Sequence, residues 1–203
     1  MKLGIFGGTF DPIHYGHLIL AEHCREACAL DEVWFVPAAS PPHKEDSRIS
    51  PASARIEMVE LAVSGCSNLA VSRIELHREG PSYTVDTLRQ LADEGVDRDL
   101  FLLIGADSLH DLKSWREPEQ IATLAQIVAV NRGREALPDL QAMRDTLGDA
   151  ITERVQHVSI PPIDISSTNI RARVRDDRSI RFLIPRAVEA YVREHGLYAG
   201  KNT

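Results

Sequence analysis

The chain contains 203 residues, a length that favours one hydrophobic core over two independent domains. Lysine and arginine number 23 against 30 aspartate and glutamate residues, and the net charge of −7 disfavours nucleic acid or an anionic membrane as a partner, because both need a basic face. The 43% hydrophobic and 26% charged residues exclude a wholly disordered chain.

The chain opens with a predicted strand, Lys2–Phe6, which runs into the segment Gly7–His17 and then a helix. The apolar start is too short for a signal peptide, and no run of about 20 apolar residues follows, so we expect a cytoplasmic protein that does not enter membranes.

Cys24 and Cys28 lie four residues apart on the helix, a spacing that favours buried small hydrophobic residues over metal ligands or a disulfide.

The segment Gly7–His17 carries the first chemical signal. A glycine-rich turn between a first strand and a helix lets backbone amides approach phosphate, but the spacing matches neither a dinucleotide-binding fingerprint nor a P-loop. His14 and His17 are three residues apart at the helix start, so their rings lie near each other on the same side of the helix. They could bind phosphate, bind a metal, or serve only as cap and core residues; the glycine context favours phosphate.

Short apolar strands alternate with amphipathic helices along the chain. Helical spacing is clearest in two segments, Ile56–Val63 and Val85–Ala92, and the proline-rich stretch Pro37–Pro51 predicts a long functional loop. The further predicted strands are Val33–Val36, Leu69–Ser72, Leu100–Ile104, Ile127–Val130 and His157–Ile160. This alternation predicts a Rossmann-like parallel α/β sheet with helices on both faces.

A second anion-binding signal lies near the end of the chain. Hydroxyl residues occur where a helix is predicted to begin, and Arg171 follows one turn later. Hydroxyls, backbone amides and a guanidinium could therefore bind the same anion. The alternative is an ordinary N-cap followed by a solvent-exposed arginine face. The hydroxyl residues are Ser166, Ser167 and Thr168.

The segment Pro185–His195, followed by Gly196, predicts a last helix packed on the body of the domain. We expect one domain, 1–203, with 166–203 as a C-terminal helical subregion.

Together these motifs resemble the nucleotidyltransferase superfamily of the His-x-Gly-His type, and within it the nicotinate-mononucleotide adenylyltransferases. The resemblance spans most of the chain. It rests on Gly4–Pro12, Pro41–Lys44, Gly80–Leu88, Gly105–Asp107, Trp115, Ile165–Arg171 and Glu194–Tyr198. One departure is visible at Val130–Arg134, where the proline expected after Arg132 is replaced by Gly133, which leaves the shape of that loop open.

The resemblance implies adenylyl transfer from ATP to nicotinate mononucleotide, with Mg²⁺ carried on the ATP phosphates and no metal site made by protein side chains alone. It implies His14, His17 and Arg171 as catalytic residues. ATP binding is implied for these three and for Gly7, Gly8, Thr9, Phe10, Gly105, Asp107, Ile165, Ser166, Ser167 and Thr168.

Nicotinate mononucleotide binding is implied for Asp11, His43, Lys44, Ser82, Tyr83, Thr84 and Trp115. A helix start at Ser82–Thr84 suits the nicotinate carboxylate, and Trp115 suits stacking on the pyridine ring. By themselves these residues would be interpreted as a cap and a core aromatic residue.

Two alternatives stay open at this point. One is another adenylyltransferase of the superfamily, such as that for phosphopantetheine, and the other is a nucleotide-sensing module without turnover. The sequence does not decide between a monomer and a homo-oligomer.

Overall fold

A computed structural model describes residues 1–40, 49–78, 80–95, 97–131 and 139–200. In these ranges six strands form one parallel sheet in the order β3-β2-β1-β4-β5-β6. The strands are β1 (Lys2–Gly8), β2 (Glu32–Pro37), β3 (Leu69–Val71), β4 (Asp99–Gly105), β5 (Gln126–Val130) and β6 (Val155–Val158). The predicted parallel α/β architecture is therefore confirmed.

Helices connect the strands and complete the fold. They are α1 (Tyr15–Ala27), α2 (Ala52–Val63), α3 (Thr84–Glu94), α4 (Ala106–Asp111), α5 (Pro118–Leu124), α6 (Leu140–Leu147), α7 (Asp149–Thr152), α8 (Ser167–Arg175) and α9 (Arg186–Glu194). Short 3₁₀ helices occupy Ile74–His77 and Leu112–Ser114. None of the helices in the described ranges combines the length and apolar character needed to cross a bilayer.

The sheet is covered on both faces because successive strand residues point to opposite sides. On one face α1, α2, α8 and α9 pack against a core that includes Phe6, Phe35 and Val128. On the other, α3, α5 and α6 pack against a core that includes Ile5 and Ile127. This two-sided burial explains why the strands are short, nearly continuous apolar runs.

The last strand differs from the sequence prediction. The apolar run predicted a strand at His157–Ile160, but β6 begins two residues earlier and ends at Val158. Its pairing with β5 sets these limits, since Ile127 lies opposite Val155 and Val130 lies opposite Val158. Strand limits follow the neighbour's hydrogen-bonding register, which a single run of apolar residues does not contain.

The C-terminal helix packs on the body as expected. Val188 and Val192 of α9 are buried in the core shared with α2. The helix ends at Glu194, and Gly196, one residue beyond the C-cap His195, has a φ of +60° in the left-handed region. Gly196 N–H donates to Arg193 O at 3.2 Å and Leu197 N–H to Val192 O at 3.0 Å, which satisfies the last carbonyls of the helix.

Helix α1 also buries its predicted face. Cys24 is fully buried, and burial raises the pKa of its thiol to about 12, while Cys28 follows the last turn and is buried as well. Both cysteines act as small hydrophobic residues. Cys66 is exposed.

Replacement of a core leucine tests which helix faces contribute to the free energy of unfolding. Leu88 of α3 is fully buried, whereas Leu61 of α2 is 37% exposed. We expect Leu88→Ala to lower the free energy of unfolding by about 2–5 kcal/mol through lost burial and the cavity it leaves. Urea denaturation of Leu88→Ala and the matched control Leu61→Ala measures this; equal losses would contradict the packing described above.

Candidate active site

A cavity of about 300 Å³ opens at the carboxyl ends of β1, β2 and β4. In a parallel sheet this edge carries the ligand site, because the strand order changes direction there and the loops diverge. Its floor is apolar, and its polar lining comes from separate loops. The polar or glycine lining residues are Gly7, Gly8, Thr9, Glu75, Ser82, Thr84, Thr87, Gly105, Ser108 and Trp115.

The turn after β1 is built on close packing that requires glycine. A Cβ at Gly8 would meet the ring of Phe10 at 2.8 Å, and a Cβ at Gly16 would meet Nδ1 of His14 at 3.0 Å. Phe10 itself is buried, with a φ of +48°, and its ring meets that of His17 edge-on at a centroid distance of 5.1 Å. Phe10 therefore lies beneath the turn and supports it from the protein side.

His14 and His17 form a stacked pair at the start of α1. Their ring centroids are 3.6 Å apart, with an interplanar angle of 19°. The backbone N–H of His14 donates to Nδ1 of His17 at 3.2 Å. Since Nδ1 accepts this bond, the proton of a neutral His17 ring lies on Nε2, which makes Nε2 a hydrogen-bond donor. The helix cap thus fixes the ring that could donate to a phosphate.

The start of α8 is joined directly to the first motif. The hydroxyl of Ser167 donates to Pro12 O at 2.9 Å, and Nη1 of Arg171 donates to Asp11 O at 2.8 Å. Ser166 caps the helix by accepting from the N–H of Asn169 at 3.2 Å. The two predicted anion-binding segments, which are about 150 residues apart in sequence, therefore share one edge of the sheet.

Asp11 is held by protein groups. It is 3% exposed, and its carboxylate accepts from the N–H of Ser50 at 3.1 Å and from the hydroxyl of Tyr198 at 2.5 Å. Burial raises the pKa of the Tyr198 phenol, and the bond to Asp11 raises it further. The Asp11 side chain is thus used to attach the C-terminal segment and the loop before α2 to the first motif.

Arg55 is a buried cation that joins the turn after β1 to both ends of the connection between β2 and α2. It is 1% exposed and donates to Thr9 O at 2.8 Å, to Ala38 O at 2.7 Å and to Ser50 O at 3.0 Å. Burial lowers the pKa of its guanidinium, while nearby Asp11 has the opposite effect. Its N–H groups bond carbonyls from both segments, and the turn after β1 and the segment after β2 are fixed together.

The predicted helix start at Ser82–Thr84 opens onto the cavity. Helix α3 begins at Thr84, and both Ser82 and Thr84 line the cavity together with Trp115. Ser82 N–H donates to Ser40 O at 3.0 Å, which ties this segment to the one after β2. Free amides at the start of α3 provide donors and a positive dipole end beside an aromatic ring.

The structure brings some of the predicted site residues into the cavity and leaves others around it. Gly7, Gly8, Thr9, Gly105, Ser82, Thr84 and Trp115 line it. Tyr83 caps α3 and its ring lies 4.7 Å from the guanidinium carbon of Arg116. Asp107 is exposed on α4, and Ile165 and Thr168 lie at the start of α8. His43, Lys44, Arg132 and Gly133 lie outside the described residues.

Sequence reasoning missed Arg55, Glu75 and Tyr198. Arg55 had a signal, because it lies three and four residues before Met58 and Val59 on the apolar face of α2, where a charge is out of place. Glu75 and Tyr198 had no comparable signal, since only the tertiary structure buries them.

Comparisons with known proteins identify the family of the chain. Residues 5–173 match the model of the cytidylyltransferase-like family. The probable nicotinate-nucleotide adenylyltransferase of Thermomicrobium roseum is 47% identical over 97% of this chain and 91% of its own length. That of Thermus thermophilus is 44% identical over 98% of this chain and 100% of its own length. The chain therefore belongs to the cytidylyltransferase-like family and, within it, to the nicotinate-nucleotide adenylyltransferases.

A solved structure shows the same fold. The Plasmodium falciparum nicotinic acid mononucleotide adenylyltransferase complexed with NaAD superimposes with a TM-score of 0.78, at 20% identity, over 97% of each chain. At this identity the likeness concerns the fold.

No group of three or more His, Cys, Asp or Glu side chains arranged for a metal ion occurs among the described residues. Among the same residues, the polar lining of the cavity consists of backbone amides, the hydroxyls of Thr9, Ser82, Thr84, Thr87 and Ser108, and the single carboxylate of Glu75.

Removal of one donor to Asp11 tests how the C-terminal segment is held. We expect Tyr198→Phe to lower the free energy of unfolding by about 1–3 kcal/mol, because the buried carboxylate loses one of its hydrogen bonds. Urea denaturation measures the loss. Tyr15→Phe, which removes the same hydroxyl from a side chain that is 37% exposed, is the control and should change stability by at most about 0.5 kcal/mol. A similar loss in both variants would contradict the role given to Tyr198.

Proposed function

We propose that this protein transfers the adenylyl group of ATP to nicotinate mononucleotide. A phosphate oxygen of the mononucleotide attacks the α-phosphorus of ATP, the bond from this phosphorus to the bridging oxygen breaks, and nicotinate adenine dinucleotide and pyrophosphate form. The observation that carries the proposal is the single sheet edge that holds a glycine turn, a histidine pair, two helix starts and a cavity with Trp115. The names of the family relatives point to the same reaction.

His14 and His17 are proposed to bind the phosphates that react. A displacement at phosphorus needs little covalent help; it needs aligned reactants and donors for the charge that develops on the phosphoryl oxygens and the leaving group. The stacked rings are fixed at the start of a helix, where the dipole also favours negative charge. Donors held in place before the reaction stabilise the transition state without reorganisation.

The start of α8 is proposed to bind the rest of the triphosphate. Ser166, Ser167, Thr168 and Arg171 lie there, and bonds from Ser167 and Arg171 to the backbone of the first motif hold the two phosphate-binding segments in register. Arg171 keeps further N–H donors for an anion, since its Nη1 and Nη2 bonds to protein use part of its five. Mg²⁺ is proposed to enter on the ATP phosphates, where it would neutralise charge on the leaving pyrophosphate.

The adenosine part of ATP is proposed to lie along the end of β4 and the turn after β1. Gly7, Gly8, Thr9 and Phe10 form or support that turn, and Gly105 ends β4 at the cavity. Asp107 on α4 and Ile165 before α8 flank this region, where a carboxylate could accept from ribose hydroxyls.

The pyridine end of nicotinate mononucleotide is proposed to enter the cavity. Its carboxylate would accept from the amides that open α3 at Thr84, with Ser82 and Tyr83 shaping that start, and its ring would stack on Trp115. His43 and Lys44 are proposed to contact the substrate phosphate. Asp11 is proposed to shape this subsite indirectly, because its carboxylate bonds Ser50 in the loop before α2 and Tyr198 in the C-terminal segment.

We further propose that residues 1–203 act as one nucleotidyltransferase domain in which 166–203 is the C-terminal helical subregion. The support is that Ile170 and Val188 are buried in the same core as strands β1, β2 and β5.

A substrate panel tests the proposed reaction. Pyrophosphate release from ATP is measured with nicotinate mononucleotide, nicotinamide mononucleotide or phosphopantetheine as acceptor. We expect the acid to exceed the amide in kcat/KM by about ten- to hundred-fold, because only the acid forms charge-assisted bonds at the start of α3. Equal kcat/KM values would show that the helix start does not select the carboxylate. Faster turnover of phosphopantetheine, or ATP binding without turnover, would instead support one of the alternative functions.

A second test concerns the histidine pair. We expect His14→Ala to lower kcat by about 10²–10³-fold with a smaller effect on the KM of either substrate, because its bond strengthens as charge develops. His195→Ala, which removes an exposed imidazole at the end of α9, is the control. Near-normal kcat in His14→Ala with intact folding would remove His14 from the catalytic residues.

A further inference from the structure

Glu75 is an acidic side chain at the cavity that the proposed reaction does not use. It lies in the 3₁₀ helix Ile74–His77, is 7% exposed, and lines the cavity beside Ser82, Thr84 and Trp115. A carboxylate here is unexpected, because the acceptor substrate is itself an anion and its own carboxylate is proposed to bind a few residues away.

The carboxylate of Glu75 is only partly satisfied by the protein. Oε1 accepts from the hydroxyl of Thr87 at 2.7 Å, whereas Oε2 is buried and accepts no hydrogen bond from the described residues. Arg78 reaches Glu75 only through Thr87, since its Nη2 donates to the Thr87 hydroxyl at 2.7 Å. The ion pairs among the described residues do not include Glu75.

Such a group costs the folded protein free energy. A buried charge is tolerated when a counter-charge or several hydrogen bonds compensate it. Here one hydroxyl bonds Glu75 directly, Arg78 bonds that hydroxyl, and Arg55 is near enough for Glu75 to raise the pKa of its guanidinium against the lowering by burial. A buried carboxylate oxygen that has no hydrogen bond from the described residues and persists beside a binding cavity points to a ligand of complementary charge.

The acceptor substrate carries that complementary charge in its ring. In nicotinate mononucleotide the ring nitrogen is bonded to the ribose and is quaternary, so the pyridinium ring is cationic while its carboxylate is anionic. Within the proposed function, the ring lies against Trp115 in the cavity that Glu75 lines. A negative charge at that wall attracts the cationic ring, whereas the backbone amides at the start of α3 are the donors proposed for the carboxylate.

We propose that Glu75 is a specificity-determining residue that provides the counter-charge for the pyridinium ring of the acceptor nucleotide. The inference rests on the proposed function. It requires no direct hydrogen bond, because a charge in a poorly solvated cavity acts over several ångströms. The cavity accordingly selects a cationic aromatic ring over a neutral ring of the same shape.

The test compares the natural acceptor with a neutral isostere in which carbon replaces the ring nitrogen, 3-carboxyphenyl ribofuranoside 5′-phosphate joined through a C-glycosidic bond. The dissociation constants of both are measured by calorimetry on the full chain without ATP. We expect the wild-type protein to bind the pyridinium compound about ten-fold more tightly, which corresponds to ~1.4 kcal/mol. We expect Glu75→Gln to reduce this ratio to near one by weakening the pyridinium compound alone.

Two controls separate this role from a structural one. Glu60→Gln removes a charge of the same sign from an exposed carboxylate that pairs with Arg73 at 2.6 Å, and it should leave the ratio unchanged. The melting temperature of ligand-free Glu75→Gln should equal or exceed that of the wild type, because glutamine keeps an acceptor for Thr87 and removes a buried charge.

The proposal is overturned if the wild type binds both compounds equally, if Glu75→Gln weakens both by the same factor, or if the variant melts several degrees lower. The proposed function has its own readout, since pyrophosphate release by the wild type with nicotinate mononucleotide tests it whatever the binding ratio is. Turnover with an unchanged ratio in Glu75→Gln would refute the role of Glu75 alone.

Discussion

The change of direction in strand order between β1 and β4 is the constraint on which this molecule depends. The chain moves outward from β1 to β2 and β3, returns to pair β4 with the other side of β1, and then moves outward again to β5 and β6. The loops after β1 and β4 therefore diverge and leave a cavity between them. The glycines that end both strands, Gly8 and Gly105, line its wall.

A site assembled from diverging loops needs internal bonds to keep its shape, and buried polar side chains provide them. Arg55 joins the turn after β1 to the segments after β2 and before α2, and Asp11 joins the first motif to the C-terminal segment. These groups lie beneath the polar lining of the cavity. Glu75 differs from them, since its second oxygen has no hydrogen bond from the described residues and the residue lines the cavity where the acceptor is proposed to bind.

Much of the fold could be predicted because a sheet covered on both faces gives its strands a strong apolar signal. The strand prediction erred at β6, where the run ending at Ile160 extends beyond the residues that pair with β5. The site was partly predictable for a similar reason. The glycines and histidines of the first turn form a local pattern at the start of α1, and the hydroxyls before Arg171 form a local pattern at the start of α8. Arg55 could have been noticed as a charge on an apolar helix face, whereas Tyr198 and Glu75 could not.

The sequence by itself determined the order of elements and the family, and it predicted the two phosphate-binding segments, because these depend on residues that are neighbours along the chain. Only the tertiary structure decided that the Asp11 carboxylate is engaged by Ser50 and Tyr198, and that Glu75 is buried beside Trp115. Burial and charge compensation depend on groups that are far apart in sequence. In the sequence the Glu75 carboxylate is indistinguishable from an ordinary surface charge, and only folding removes it from water.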